Sequence, residues 1–454
     1  MKKAVNILTI IYIILLFWLT KNKDILALTI SSSIYLLFSS IFSTLEIKEK
    51  DIKKINYIII AIMVIFIPLT IISYFIGNIL DIYNLGIINI IMSITCCLNI
   101  IIKLLRQYFE VVQNKKAKSI LNIHKIITII LNILVVIITF GIFNIKNNIG
   151  IIILYLTNIV SSVGIILLVR RLTPKNKINI KLNNIIDIKN NLISNKTITI
   201  YNIINCSYIY VSIIIMYYIL TNKYNYSYEN ISIYISNTYF YGIFFIYSII
   251  KIIKKILNIN IKDNFIKNLN KVIKIALPIT ILLTIISKSI SNIAFSSKYN
   301  IVAGLIPLIF IYLLYDFIIT TSIEYNNNKK NIITLIIGII IKMIFELPLI
   351  NTVDRMGYDY YYGSILSIIL GLLVSCIISI IFIRNKLKLN LLNNFNNLLN
   401  IIYENIIYTL VLVLFTFIIK INTNNVIESL LVIMFYSIIT LIFYIIKKKI
   451  QNKG

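Results

Sequence analysis

The chain contains one histidine in 454 residues, and 16 acidic side chains against 44 lysines and arginines. A single imidazole excludes multi-histidine metal centres, and it stands at no metal-ligand spacing from Cys96, Cys97, Cys206 or Cys376. All four cysteines fall inside apolar runs, where they read as small apolar side chains. A Walker motif, a glycine-rich phosphate loop and a nucleophile elbow are also missing. An ATP-driven pump would need a nucleotide domain, and none is legible in these residues. No cofactor, no metal and no catalytic residue is expected.

What the chain has in abundance is apolar sequence. Its hydrophobic content is 59% and its mean hydropathy +0.92, beyond what a soluble domain of this size shows. Runs close to the ~20 residues that cross a bilayer recur from end to end. The pattern predicts an all-α integral membrane protein with about fourteen transmembrane helices. They are expected near Val5–Thr20, Ile25–Leu45, Ile55–Gly77, Leu85–Ile102, Ser119–Phe143, Ile149–Val169, Thr197–Leu220, Ile231–Ile250, Ile275–Phe295, Ile301–Ser322, Ile332–Ile350, Tyr362–Ile383, Ile406–Ile419 and Val426–Ile446.

The net charge of +28 would suggest nucleic acid in a soluble protein. Here most of the Lys and Arg residues lie in every second connection between spans and at the two ends. That alternation is the positive-inside signal and places both termini in the cytoplasm of a bacterial cell membrane. The basic residues then face anionic lipid headgroups, and no nucleic-acid partner is expected. The first apolar run follows Met1-Lys2-Lys3 like a signal peptide, but no small-residue cleavage site follows it, so it is expected to be retained. Heavy use of Ile, Asn and Lys is the footprint of an AT-rich genome, so an asparagine within a span carries little weight by itself.

Four regions are expected: an N-terminal six-helix bundle (1–170), a cytoplasmic or interfacial linker (171–196), a C-terminal six-helix bundle (197–385), and a further helix pair with a basic tail (386–454). The linker region, with Ile178 to Ile193, and a second stretch from Leu391 to Ile402 both have apolar spacing suited to lying along the membrane interface, or are simply Ile-rich connectors. An internal repeat supports the two bundles. The fourth and fifth spans, joined through Asn114-Lys115-Lys116, align with the tenth and eleventh, joined through Asn328-Lys329-Lys330. At that register Thr128 aligns with Lys342 and Asn132 with Glu346. Both units run in the same direction through the membrane, the arrangement of transporters built from parallel halves.

Several motifs follow one another after Lys271. Ala276-Leu277-Pro278 opens the ninth span. Gly338-Ile-Ile-Ile-Lys342 runs into Leu347-Pro348-Leu349-Ile350. Met356-Gly357-Tyr358 leads to Tyr362-Gly363-Ser364-Ile365-Leu366, and Arg384-Asn385-Lys386 closes the twelfth span. The stretch from Lys271 to Leu389 resembles the second half of flippases of the multidrug/oligosaccharidyl-lipid/polysaccharide exporter superfamily, in the polysaccharide-biosynthesis and stage V sporulation protein B-like branch. The resemblance implies two six-helix bundles plus a helix pair, and transport of a lipid-linked glycan. The first span departs from that pattern, because Val5–Thr20 has neither the glycine nor the arginine of those families.

Intramembrane charge marks the candidate site. Lys342 and Lys288 lie near mid-depth of the eleventh and ninth spans, Asp316 lies in the tenth, and Glu346 sits one turn from Lys342 on the same face. One reading is a single polar core whose lysines hold an anionic headgroup, with the acids neutralising them or taking a coupling cation. The other is a structural ion-pair cluster, such as Lys342 with Glu346. Asn132, Thr128, Asn205 and Tyr208 are further pathway candidates. His124, beside Lys125, reads as an interfacial side chain. The expected function is a secondary-active flippase whose partners are a lipid-linked glycan, membrane lipids and a coupling cation. A cation-coupled multidrug exporter of the same superfamily is the alternative. A membrane polysaccharide polymerase or glycosyltransferase is a third reading, disfavoured by external connections of about ten residues at most.

Overall fold

The computed structural model describes residues 2–20, 22–42, 52–79, 84–145, 149–171, 196–257, 265–295, 304–325, 328–387, 395–418 and 426–451. Every regular element among them is helical, as expected of segments that must satisfy their backbone internally within lipid. The elements are α1 (Lys2–Leu19), α2 (Asn22–Phe42), α3 (Ile52–Ile79), α4 (Leu85–Val111), α5 (Lys115–Val136, continued by a π segment Ile137–Ile142) and α6 (Ile149–Arg170). They continue with α7 (Lys196–Asn222), α8 (Tyr228–Ile235), a π segment (Ser236–Ile243), α9 (Phe244–Leu257), α10 (Phe265–Ile285) and α11 (Ser287–Phe295). The last are α12 (Pro307–Tyr325), α13 (Asn328–Arg355), α14 (Tyr360–Leu387), α15 (Phe395–Ile418) and α16 (Val426–Gln451).

Among the described residues, 11 helices are long and apolar enough to cross a membrane, and Val5–Leu19 and Leu26–Phe42 are shorter apolar helices. Two expected spans are divided. The eighth is split by the π segment into α8 and α9, and the ninth by a turn at Ile286 into α10 and α11. The expected linker 171–196 and its interfacial stretch lie outside the described residues, apart from its two ends. The second stretch is described only from Phe395, where it forms the first turns of α15 with Leu399 and Ile402 exposed. The Asn114 turn holds, its Oδ1 accepting from the Ala117 amide at 3.1 Å. Asn328, Lys329 and Lys330 already belong to α13.

The chain divides into two compact units, Met1–Phe240 and Tyr241–Gly454. In the first, α4 is the central helix and packs against α2, α3, α5 and α6. α2 also packs against α7 and α8, and α1 lies along α5. The α3–α4 crossing is close because it is made by glycines. A Cβ on Gly77 would fall 2.7 Å from the Gly86 backbone. Beside it, Asn89 (0% exposed) joins three helices. It accepts from Ser31 Oγ at 2.6 Å and donates to the Ser73 carbonyl at 2.8 Å, while Ser93 donates back to its carbonyl at 2.8 Å.

In the second unit α13 and α14 form the tightest pair, α12 packs on α14 and α10, and α9 packs on α12. The final helices cover the ninth span: α15 packs on α10 and α16 on α11. Ile286, at the break between α10 and α11, sits in a buried cluster with Tyr408, Leu412, Val432, Tyr436 and Ile439. The Tyr408 and Thr440 hydroxyls bond at 2.9 Å and close α15 on α16.

Candidate functional site

α13 sorts its side chains by face. Asn331, Thr334, Lys342, Glu346 and Ile350 are buried at helical spacing, while Met343, Ile344, Phe345 and Leu347 between them are exposed. The polar stripe therefore faces protein and the apolar stripe faces outward, as an intramembrane helix requires. α14 meets that stripe with small residues: Ser364, Ser367, Ser375 and Ser379 are all 0% exposed.

Lys342 Nζ lies 2.5 Å from Glu346 Oε2, and both side chains are fully buried. Ser364 Oγ donates to the other carboxylate oxygen at 2.9 Å. One turn further along, Gly363 lets the α14 backbone come close. A Cβ there would stand 2.5 Å from Ile350 Cα. The ion pair thus sits in a sealed helix contact, with its charge balanced one to one and a hydroxyl on the remaining oxygen. Towards the start of α13, Ser322 Oγ donates to Asn331 Oδ1 at 2.7 Å and the Asn331 amide donates to the Ser322 carbonyl at 3.1 Å, tying α12 to α13.

The four charged side chains expected to share one core occupy three places. Asp316 pairs with Lys254 of α9 at 2.7 Å, and both are partly exposed, 23% and 36%. The Lys254 ammonium also lies 5.5 Å from the Tyr312 ring, and Lys251 lies 4.4 Å from the Tyr247 ring. These two tyrosines meet edge to face at 6.2 Å. The result is a cationic and aromatic patch on α9 and α12. Lys288, on α11, is exposed, whereas Ser287, Ser289, Ser291 and Asn292 beside it are buried. Asn292 donates to Ser429 of α16 at 3.4 Å, so this helix turns its small polar residues inward and its lysine outward.

In the first unit Thr128 belongs to a cluster that local sequence patterns do not reveal. His124 Nε2 lies 3.0 Å from Ser161 Oγ of α6 and 3.3 Å from Thr128 Oγ1. Thr128 donates to the His124 carbonyl at 2.8 Å, and one turn earlier Arg106 of α4 donates to the Leu121 carbonyl at 2.9 Å. His124 is 8% exposed and packed between helices, with Ser161 as a partner 37 residues away. Among the described residues the side-chain oxygens of Asn132 and Asn205 are buried without a hydrogen-bond partner, and Tyr208 is buried with Ser212 donating to its carbonyl at 3.1 Å. Among the described residues no group of three or more His, Cys, Asp or Glu side chains could hold a metal ion.

No protein-family model and no curated protein matches the chain. Solved structures do. A lipid II flippase MurJ in an inward closed conformation is 15% identical, with a TM-score of 0.65 over 99% of this chain and 98% of that one. The eukaryotic MATE transporter AtDTX14 is 12% identical, with a TM-score of 0.53 over 84% of this chain and 91% of that one. At these identities the likeness is one of fold. The chain shares an all-helical fold with a flippase and a MATE transporter.

Proposed function

We propose that the chain is a secondary-active flippase that moves a lipid-linked cell-envelope glycan precursor, of polysaccharide or peptidoglycan type, from the inner to the outer leaflet by alternating access. The observation that carries this reading is the extent of the fold likeness. It takes in 99% of the chain for the lipid II flippase, the last helix pair included, against 84% for the MATE transporter. In this reading both termini are cytoplasmic and the lipid tail stays in the bilayer during transit.

The anionic headgroup of such a substrate would meet lysines as compact point charges. The exposed Lys288 and the half-exposed Lys254 are available to it. Lys342 contributes only in a state where its contact with Glu346 has opened, so its first role is to neutralise Glu346, which carries the bond to Ser364 of α14. The drug-exporter reading gains from the MATE likeness. It is weakened because Asp316 and Glu346, the acids expected to bind the cation, are each already paired with a lysine.

The test is a pair of measurements. Depleting the protein should make a lipid-linked saccharide accumulate on the cytoplasmic leaflet, and the purified protein in liposomes should move that lipid between leaflets. An unchanged lipid-linked pool together with inert proteoliposomes would refute the proposal.

A further inference from the structure

The one histidine of this chain lies on α5, in a helix long and apolar enough to cross a membrane. His124 lies nine residues beyond Lys115 at the start of α5, about 13 Å along the helix at ~1.5 Å per residue. It is buried against α6, and its Nε2 is held by Ser161 and Thr128. An ionisable group at such depth needs a reason to be there.

The hydrogen-bond pattern points to one. Thr128 donates its hydroxyl proton to the His124 carbonyl at 2.8 Å, which leaves its oxygen as an acceptor. Ser161 lies 3.4 Å from that oxygen and can donate to it, leaving its own oxygen as an acceptor too. Two acceptors facing Nε2 suit a nitrogen that carries hydrogen, in both the neutral and the cationic ring. Nε2 makes the ring's hydrogen bonds to side chains, and the Ser161 backbone also lies within hydrogen-bonding reach of the ring. A second proton on Nδ1 leaves the side-chain contacts of Nε2 in place.

The neighbours allow the charge to change. On α4, Glu110 is engaged by Lys118 at 2.6 Å and Arg106 by the Leu121 carbonyl, while Lys103 and the thiols of Cys96 and Cys97 complete that helix apart from Tyr108. α6 brings Tyr155 and Arg170, α1 brings Lys2, Lys3 and Tyr12, and α5 itself carries Lys115, Lys116, Lys118 and Lys125. Across these elements Glu110 is the one carboxylate and it is already paired, so no fixed acid locks the imidazole in its charged form. The second half differs at the aligned level. Lys342 stands in the register position of Thr128, and its charge is cancelled by Glu346.

We propose that His124 is a proton-binding site, and that the coupling ion of the transport cycle is a proton carried on its Nδ1. The coupling part rests on the transporter reading, whereas the binding part does not. The protein, purified with a tag free of histidine and placed in lipid nanodiscs, gives the two nitrogen signals of one imidazole when labelled with 15N-histidine. Those signals should titrate between about pH 5 and 8, vanish in His124→Gln, and shift their midpoint in Ser161→Ala. A ring that keeps one protonation state across that range overturns the proposal, since a histidine that merely ties two helices would behave in that way. In liposomes, lipid flipping by the wild type should change severalfold across the same range, and His124→Gln should flatten the profile. Flipping by His124→Gln with an unaltered profile overturns the coupling while leaving the flippase reading intact. A titrating ring in liposomes that flip nothing overturns the flippase reading and keeps the proton site.

Discussion

Replacing Lys342 with methionine should be among the most damaging single changes available in the second unit. The substitution keeps much of the side-chain volume and removes the ammonium. Glu346 is then left in a site with 0% exposure, 2.5 Å from where its counter-charge stood, with the Ser364 hydroxyl as the remaining donor. Breaking one side of a buried pair costs about 3–5 kcal/mol, because the surviving charge is stranded. Glu346→Met should cost a similar amount by stranding the ammonium. The double replacement strands nothing and should lie within about 1 kcal/mol of the parent, or above it. The cycle then returns a coupling energy of about 5 kcal/mol or more. Ser364→Ala sets the scale for a neutral contact: interhelical hydrogen bonds in membranes average about 0.6 kcal/mol and reach about 1.7. Equilibrium unfolding in mixed micelles, followed by far-ultraviolet circular dichroism, measures all four variants. Two single variants within about 0.5 kcal/mol of the parent, or a double variant that costs the sum of the singles, would refute a sealed, mutually dependent pair.

The same unfolding measurement tests the close crossings. Gly363→Ala places a methyl group 2.5 Å from Ile350 Cα and should cost about 1–3 kcal/mol, whereas Gly164→Ala, with nothing within 4 Å, should be neutral or gain up to ~1 kcal/mol of helix propensity. Asn89→Ala removes the acceptor of Ser31 and the donor to Ser73 and should cost about 1–3 kcal/mol. Asn99→Ala, whose bond to Tyr35 is exposed, is the control and should stay within about 0.5 kcal/mol.

The helical membrane class was legible because period and length are local properties, and the apolar runs carry both. The i to i+4 spacing of Lys342 and Glu346 likewise marked a shared face. Ser364 was not legible as their third member, since serines are scattered through these apolar helices and only the α13–α14 contact selects one of them. Lys254 was read as part of a connection because the basic residues after Ile250 look like a loop. The helix instead continues to Leu257 and carries that lysine to Asp316. Burial of His124 depends on Ser161, which belongs to another helix, and no local pattern reports such a pairing. The division of the eighth span was hidden for a different reason: a π segment has the composition of the helix around it.

That π segment, Ser236–Ile243, limits what evolution and protein engineering can do there. A π turn amounts to one residue more than an α-helix would use, and each residue advances the helix by about 100°. Removing a single codon from the segment would turn α9 by that angle about its own axis. Lys254 would leave Asp316, and the face of α9 that now meets α12 would point elsewhere. Insertions and deletions in this stretch change the phase of α9, which conservative exchanges do not, so a deletion scan through it should fail at every position.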